Sequence, residues 1–309
     1  MSPKQKIIRI LDHDGGVVSG ETLSAELGVS RVSIWKHIKG LVQQGIPIQS
    51  SARGYRLASD PDSLHPYHFA SRQDRIHFFP ETGSTMDEAM RLARDGCPDF
   101  TVAVALRQTR GRGRMQRVWS SDAGGLYFTV VVRPGIPLMF SGLVNLAAAI
   151  DVADILSSGY AVAAGLKWPN DILVNEKKIC GILSQMEAEG DQVDYLNLGM
   201  GLNVNNQPES VEAGAVSLKS LLGRPVPRRE ILVAFLDAFE KRMKNFDPAA
   251  VIQQWKSHNV TLGKRVRVAT VKETVEGLAV DLDAHGGLIL QLADGTRQTA
   301  VHGDCFHGP

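Results

Sequence analysis

The sequence predicts a multidomain α/β protein, and three changes of pattern along the chain predict it. Short helices and a small hairpin occupy the first sixty or so residues, strand-like runs alternate with helices from about residue 75 to 258, and only short strands follow Leu262. The expected domains are residues 1–62, 63–260 and 261–309.

Residues 4–11 and 21–27 read as short helices, with Ser19 placed to cap the second and Glu21 in its first turn. Gly28 breaks the pattern, and Ser30 caps a third helix that sets Ile34, Ile38, Leu41 and Val42 on one face. Arg31, Ser33, Lys36 and Lys39 point away from that face; bulky Trp35 is either a groove contact or a packing residue against the next domain. Two short helices joined by a glycine-containing turn match the helix-turn-helix pattern. Ile46 to Gln49 and Tyr55 to Leu57 read as two strands around the turn 50–54, a hairpin "wing" with Arg53 at its tip. Residues 58–66, with Pro61 and Pro66, read as a linker. The whole chain carries only +1, but residues 1–58 hold eight basic and four acidic side chains, hence +4. That excess points to an anionic partner, and Arg31, Ser33, Trp35, Lys36, Lys39 and Arg53 are the candidate DNA contacts.

In the middle segment the expected strands are 101–106, 126–133, 172–174, 179–185 and 195–198, and the expected helices 85–95, 142–157 and 228–244. Asn175-Glu176 joins two apolar strands as a hairpin, so the sheet is at least partly antiparallel. Beyond Leu262 the strands 265–269, 274–282, 288–292 and 297–301 turn at Gly286-Gly287 and Asp294-Gly295. They predict a small β-barrel that needs its neighbour for stability. Cys97, Cys180 and Cys305 are scattered and lack metal spacing, so free thiols in a reducing cytoplasm are expected. No membrane association is expected, because no apolar run is read as approaching the roughly 20 residues that span a bilayer.

Four stretches carry chemistry. Gln108-Thr109-Arg110-Gly111-Arg112-Gly113-Arg114-Met115-Gln116-Arg117-Val118-Trp119 alternates glycine with arginine after a strong strand. Such a loop can wrap phosphates or carboxylates bidentately, or it is a solvated basic loop or RNA-binding tract. Lys167-Trp168-Pro169-Asn170-Asp171 and Lys177-Lys178-Ile179-Cys180-Gly181 lie on two arms of one hairpin, bringing Asp171 near Lys178. That pair suits magnesium–phosphate handling or is a structural ion pair. Gly199-Met200-Gly201-Leu202-Asn203 lets a ligand approach backbone, and Gly83-Ser84-Thr85-Met86 opens a helix whose N-terminus suits a polar ligand; alone, each also reads as an ordinary turn or cap.

Taken together, GSTM, Q-x-x-GRGR-x(4)-W, KWPND, K-x-x-G and G-x-G-x-N stand in the order and spacing of the biotin protein ligases. The stretch from Ser19 to Ile38, followed by RGYRL, resembles the winged helix-turn-helix of the bifunctional ligase–repressor subgroup, and the C-terminal segment resembles that family's SH3-like barrel. Members often continue GRGR with Arg-Gly; this chain has Met115-Gln116, which bears on the ordering of the loop.

The resemblance implies a role for each motif residue. Ser84, Thr85 and Gln108 would hold biotin's ring system, with Gly111, Gly181, Gly199 and Gly201 lining the pocket. Arg112 would grip biotin's carboxylate and the nucleotide phosphate, and Arg114 would retain the activated intermediate. Trp119 would pack on adenine, with Asn170 and Asn203 near the nucleotide. Lys178 would be the catalytic lysine, with Asp171 beside it handling Mg²⁺ through the phosphates. The implied reaction uses ATP to make biotinyl-5′-adenylate and passes biotin to a lysine of a biotin carboxyl carrier protein. The implied partners are that carrier, operator DNA of biotin-synthesis genes, and a second copy of the chain in a ligand-promoted dimer. The competing readings are a ligase with a vestigial DNA-binding domain, a pure transcription factor that senses biotin, and a lipoate ligase.

Overall fold

The computed structural model describes residues 2–308 except 44, 59, 271 and 272. The outer bounds of the first and last expected domains, residues 1 and 309, and Ser59 of the expected linker lie outside the described residues.

Three helices open the chain: α1 (Pro3–Asp14), α2 (Gly20–Leu27) and α3 (Arg31–Gln43). Ser2 and Gln5 form a capping box on α1, and Ser19 caps α2 through the Thr22 amide. Gly28 ends α2 in the left-handed region, and Ser30 accepts from the Ser33 amide to start α3. Ile34, Ile38 and Leu41 are buried as expected, whereas Val42 is 46% exposed, because it lies a further 100° around the helix from Leu41. Strands β1 (Ile48–Ser51) and β2 (Gly54–Leu57) form the wing. The turn is tighter than the expected 50–54, with only Ala52 and Arg53 between the strands. Gly54 is required there: at φ 139° its missing Cβ would meet the Val18 carbonyl oxygen at 2.1 Å. These elements enclose their own core, from Ile7 and Leu11 to Ile46 and Ile48.

The expected linker is docked. Asp62 accepts from the Arg228 backbone amide at 2.7 Å, Nε at 2.9 Å and Nη2 at 2.6 Å, and Leu64 is buried in the central core. Arg228 is itself buried, so its charge needs this carboxylate; its Nη1 donates to the Gly125 carbonyl at 3.0 Å.

The central elements are β3 (Ile76–Phe79), α4 (Thr85–Arg94), β4 (Thr101–Ala105), β5 (Leu126–Val132), α5 (Ser141–Tyr160), β6 (Gly165–Lys167), β7 (Asp171–Val174), β8 (Lys177–Glu189), β9 (Gln192–Leu202), α6 (Leu218–Leu222), α7 (Arg228–Lys244) and α8 (Pro248–His258). The seven strands order as β3-β4-β5-β9-β8-β7-β6; only β3 and β4 pair in parallel. Alternation along the strands sorts the two faces. Val102, Val104, Val130 and Val132 join the main core with α5, α7 and α8. Ala103, Val131 and Tyr195 face the other way, onto α4.

Helix α5 corrects one expectation. With the turn before it, Leu138–Tyr160 is 23 residues long and contains an 18-residue stretch with a mean hydropathy of 1.6, enough by length and composition to cross a bilayer. Here it is the core helix: eleven of the residues from Leu143 to Leu156 are buried between the sheet and the helices α7 and α8, so apolar residues occur nearly all round it. Its one buried carboxylate, Asp151, pairs with Arg242 at 2.7 Å.

The last sheet comprises β10 (Arg265–Ala269), β11 (Thr274–Leu282), β12 (Leu288–Gln291), β13 (Arg297–Ala300) and β14 (Asp304–His307), ordered β13-β12-β11-β10-β14. The expected closed barrel is not formed among the described residues: β13 and β14 are the free ends of an open sheet. Its apolar residues Val266, Val268, Leu288, Leu290 and Cys305 belong to the same core as the central helices, so it stands on its neighbour. Trp168 pins the junction, its amide donating to Thr261 Oγ1 at 3.0 Å and its Nε1 to the Gly286 carbonyl at 2.9 Å.

Candidate active site and nucleic-acid face

A cavity of about 150 Å³ opens on the α4 side of the central sheet. Its floor follows from strand register. Gly199 pairs with Thr129 and Leu183, and Gly201 pairs with Tyr127 and Gly181, so three glycines from β8 and β9 leave a trough in one face. The N-terminus of α4 walls one end with Ser84 and Thr85.

The polar groups at that end form one relay. Thr129 Oγ1 donates to Thr85 Oγ1 at 2.9 Å, and Thr85 donates from Oγ1 at 3.1 Å and from its amide at 2.7 Å to Gln108 Oε1. Gln108 Nε2 donates to Ser121 Oγ at 2.9 Å, and Ser121 donates to the Trp119 carbonyl at 3.1 Å. The relay is neutral, fully oriented and suited to a neutral hydrogen-bonding ring.

The opposite end is cationic. Lys178 Nζ lies 2.7 Å from Asp171 Oδ1. A bulge places it there: β7–β8 register slips between Ile172 and Leu173, so Leu173 faces Lys178, and Ile179 and Cys180 both go into the core. Arg114 Nη1 reaches Asn170 Oδ1 at 3.3 Å, and Asn170 Nδ2 is anchored on the Ile182 carbonyl at 2.7 Å. Burial pushes the Arg114 guanidinium below its usual value, opposed by the carboxylates of Asp304 and Asp171. A desolvated cation of this kind attracts an anion. Arg112 pairs with Asp87 at the first turn of α4. Among the described residues no group of three or more His, Cys, Asp or Glu side chains gathers for a metal. Three carboxylates line the cavity, Asp171, Glu212 and Asp304, and Asp171 is the one beside Lys178; so sparse an acidic set suits Mg²⁺ held chiefly by phosphate oxygens and water.

The glycine–arginine segment folds over the cavity as a small hairpin. Trp119 donates from its amide to the Gly111 carbonyl at 3.0 Å, and Gly113 to the Arg117 carbonyl at 2.8 Å. At its tip Met115 and Gln116 hold φ 51° and 60°, left-handed positions costing non-glycine residues about 1–2 kcal/mol each. Arg117 Nη2 bonds Asp304 Oδ2 of the last sheet at 2.6 Å. The Trp119 indole lies on the glycine floor: a Cβ on Gly201 would fall 2.4 Å from its Nε1, and one on Gly181 2.9 Å from its Cζ3. Lys178 Nζ stands 5.2 Å from an aromatic centroid of that indole, whose buried N–H has no partner among the described residues. The indole thus stands within the cavity, among its lining residues.

The cavity brings together Ser84, Thr85, Gln108, Arg112, Arg114, Trp119, Asn170, Asp171, Lys178, Gly181, Gly199 and Gly201. Gly111 and Asn203 do not line it. Gly111 lets the Trp119 strand pass, since its Cβ would meet the Trp119 carbonyl oxygen at 2.3 Å. Asn203 is buried; its amide donates to the Ile179 carbonyl at 2.9 Å and its Oδ1 accepts from Asn206 at 2.9 Å. Sequence reasoning missed Thr129, Ser121, Arg117 and Asp304. Thr129 was findable as the single Ser or Thr in the strand Leu126–Val132; Asp304 belongs to no motif.

On the N-terminal unit, Arg31, Trp35, Lys36, Lys39 and Arg53 are exposed. Ser33 is half-buried and occupied by the cap, its amide and hydroxyl both within 3.2 Å of Ser30 Oγ. Trp35 is 52% exposed, half of its surface open to solvent.

Three family profiles match the chain: the HTH domain at residues 3–56, the Biotin/lipoate A/B protein ligase family at 79–203, and the Biotin protein ligase C terminal domain at 261–308. The chain is 33% identical to the bifunctional ligase/repressor BirA of Bacillus subtilis, over 96% of each. It is 34% identical to the biotin–[acetyl-CoA-carboxylase] ligase of Mycobacterium tuberculosis, over 74% of this chain and 86% of that one. Among solved structures, the biotin protein ligase of Aquifex aeolicus in complex with biotin and ATP superposes with a TM-score of 0.64 at 28% identity, covering 75% of this chain and 98% of that one.

Proposed function

The chain belongs to the biotin protein ligase family, and from that premise we propose that it activates biotin with ATP to biotinyl-5′-adenylate and transfers biotin to a lysine of a carboxylase's biotin carrier protein. The observation that carries this reading is one cavity with a neutral hydrogen-bonding relay at one end and Lys178, Arg112 and Arg114 at the other. A ligand that is a neutral ring at one end and an anion at the other fits it, and biotin is such a ligand.

Ser84, Thr85 and Gln108 hold the ring system over the glycine floor. The carboxylate oxygen attacks the α-phosphate of ATP, a P–O bond forms, and pyrophosphate leaves. Two anions meet in that step, so cations must screen them; Lys178 and Arg112 do so at the reacting oxygens, and Arg114 retains the adenylate. Mg²⁺, held by the phosphates and Asp171, would neutralise further charge on the nucleotide. Trp119 leaves the floor to pack on adenine, and the reordered hairpin keeps water from the mixed anhydride. The carrier's lysine amine then attacks the biotinyl carbonyl, giving an amide and AMP. No protein nucleophile is required: Cys180 is buried, and burial pushes its thiol up.

We assign the winged helix-turn-helix of residues 1–62 to operator DNA, the ligase to 63–260, and read 261–309 as the family's SH3-like element left open. Filling the site orders the glycine–arginine hairpin, and the ordered hairpin completes a homodimer interface, so the repressor binds an inverted repeat when adenylate is bound. The three free thiols suit a reducing cytoplasm.

Pyrophosphate release tests the ligase. Release with biotin but not with lipoate is expected; release with lipoate alone overturns the substrate. Sedimentation and DNA binding, with DNA from upstream of biotin-synthesis genes, test the regulation. Biotin plus ATP should raise both dimer fraction and affinity, and unbiotinylated carrier should lower both. Equal affinity of the apo and adenylate-bound forms leaves a ligase with a vestigial DNA-binding domain.

A further inference from the structure

Helix α3 exposes three large apolar side chains, Val32, Trp35 and Val42, where a solvated helix would carry polar ones, and the first two are the most exposed. Val32 is 63% and Trp35 52% exposed. They lie three residues apart, neighbours on one face. Arg31, Lys36 and Lys39 surround them, and Lys39 Nζ sits 5.2 Å from the Trp35 ring, holding the indole along the helix. The wing adds Arg53 at the exposed tip of its two-residue turn. The face is therefore an apolar centre ringed by cations, on a unit with an excess of four positive charges (eight minus four).

We propose that Val32 and Trp35 read the 5-methyl groups of thymines at neighbouring positions in the major groove, while Arg31, Lys36, Lys39 and Arg53 hold the flanking phosphates. The proposal rests on the reading that this unit binds DNA. The cations select a polyanion, and the apolar pair selects among base edges. Each base pair shows a distinct pattern in the major groove, and thymine alone offers a methyl. Valine has no hydrogen-bonding atom, so against a G·C pair it would cover N7 or O6 without a partner, which costs affinity. Indole has one donor and otherwise an apolar body. Three residues of helix rise about 4.5 Å, and base pairs stack about 3.4 Å apart, so the two side chains address adjacent or next-adjacent steps.

The test uses the full chain with biotin and ATP. A randomised duplex pool is enriched on it, and the selected duplexes are remade with deoxyuridine for thymidine, which removes methyl groups and nothing else. The selected sites should carry thymines at one or two adjacent steps in each half. Each methyl lost there should weaken binding about fourfold. In Val32→Ala and Trp35→Ala the uridine penalty should vanish at one of those positions, with far-UV circular dichroism unchanged, and Val32→Ile should keep it. Enrichment with equal affinity for thymine and uracil sites overturns the inference and leaves DNA binding standing. A pool that never enriches overturns DNA binding and this inference with it. The uridine comparison uses the wild-type protein, so it holds even if a variant misfolds.

Discussion

Gly201→Ala isolates the contact between the cavity floor and the loop above it. A Cβ at this position would lie 2.4 Å from both Nε1 and Cε2 of Trp119 and 2.9 Å from Cζ2. Ordinary carbon contacts need about 3.5 Å, so the indole must shift by roughly 1 Å. The backbone beneath it is held, with the Trp119 amide on the Gly111 carbonyl at 3.0 Å and its carbonyl under Ser121 at 3.1 Å, so the shift falls on the side-chain torsions and on the hairpin closing over the floor. Overpacking of this size costs about 2 kcal/mol, and it falls on the closed hairpin alone. The open population then rises about thirtyfold. Limited trypsinolysis of the apo protein reads that population, because cleavage after Arg112, Arg114 or Arg117 requires the hairpin backbone to open and extend into the protease. Cleavage there should accelerate about thirtyfold, with the global unfolding midpoint nearly unchanged. In a Trp119→Ala background the loop is already loose, and adding Gly201→Ala should change nothing further. An unchanged cleavage rate in Gly201→Ala, or a full penalty without the indole, refutes the steric argument.

The other predictions concern charge. Lys178→Ala should lower biotin-dependent pyrophosphate release by about 10²–10³-fold with the fold retained, since the side chain stands in the cavity and not in the core; near-normal release would exclude its role. Arg114→Ala should still form adenylate but release it, so that lysines of a bystander protein become biotinylated; slow adenylate dissociation from the variant would exclude retention by Arg114. Burial lowers His65, His68 and His307 to about 4, with His68 adding to the effect at His65. Between pH 6.5 and 4 the unfolded chain takes up protons that the folded chain does not, so stability should fall as pH falls through that window. Thermal midpoints from pH 7 to 4 check this, and His65→Phe should flatten the curve; a midpoint that rises on acidification contradicts it.

Much of the fold was legible where local chemistry and tertiary packing agree. Ser19, Gly28 and Ser30 mark helix ends by side-chain and left-handed backbone chemistry, and each does so in the structure. Helix α7 matches its expected span at both ends, 228–244. Strands β3 and β6 escaped because they are only four and three residues long and are made by pairing at the sheet edges, not by any pattern of their own. Helix α8 was missed although Asp247 caps it and Pro248 occupies its first turn, a signal that was present. In the site, the motifs named the glycine floor and the cations, but not how they meet. The bulge that turns Lys178 into the cavity is a property of two paired strands, and Asp304 reaches Arg117 only through the docking of a separate sheet. Gly111 and Asn203 show the converse: motif residues that shape backbone beside the cavity without lining it.

The separate N-terminal core has a consequence for the order in which the chain is made. The buried residues of that core have all emerged once the wing through Leu57 is made, with only Tyr67 still to pack against them, so its contacts are local in sequence. The cavity, by contrast, needs Ser84 at one wall and Asp304 at another. At the usual pace of synthesis, roughly 5–20 residues per second, the interval between the two is on the order of 10–50 s. Throughout it a nascent chain can present helix α3 folded and basic while having no place to hold a ligand. A growing polypeptide thus passes through a stage in which its nucleic-acid face precedes the chamber beneath its loop, and any coupling between the two begins only when strand β14 docks.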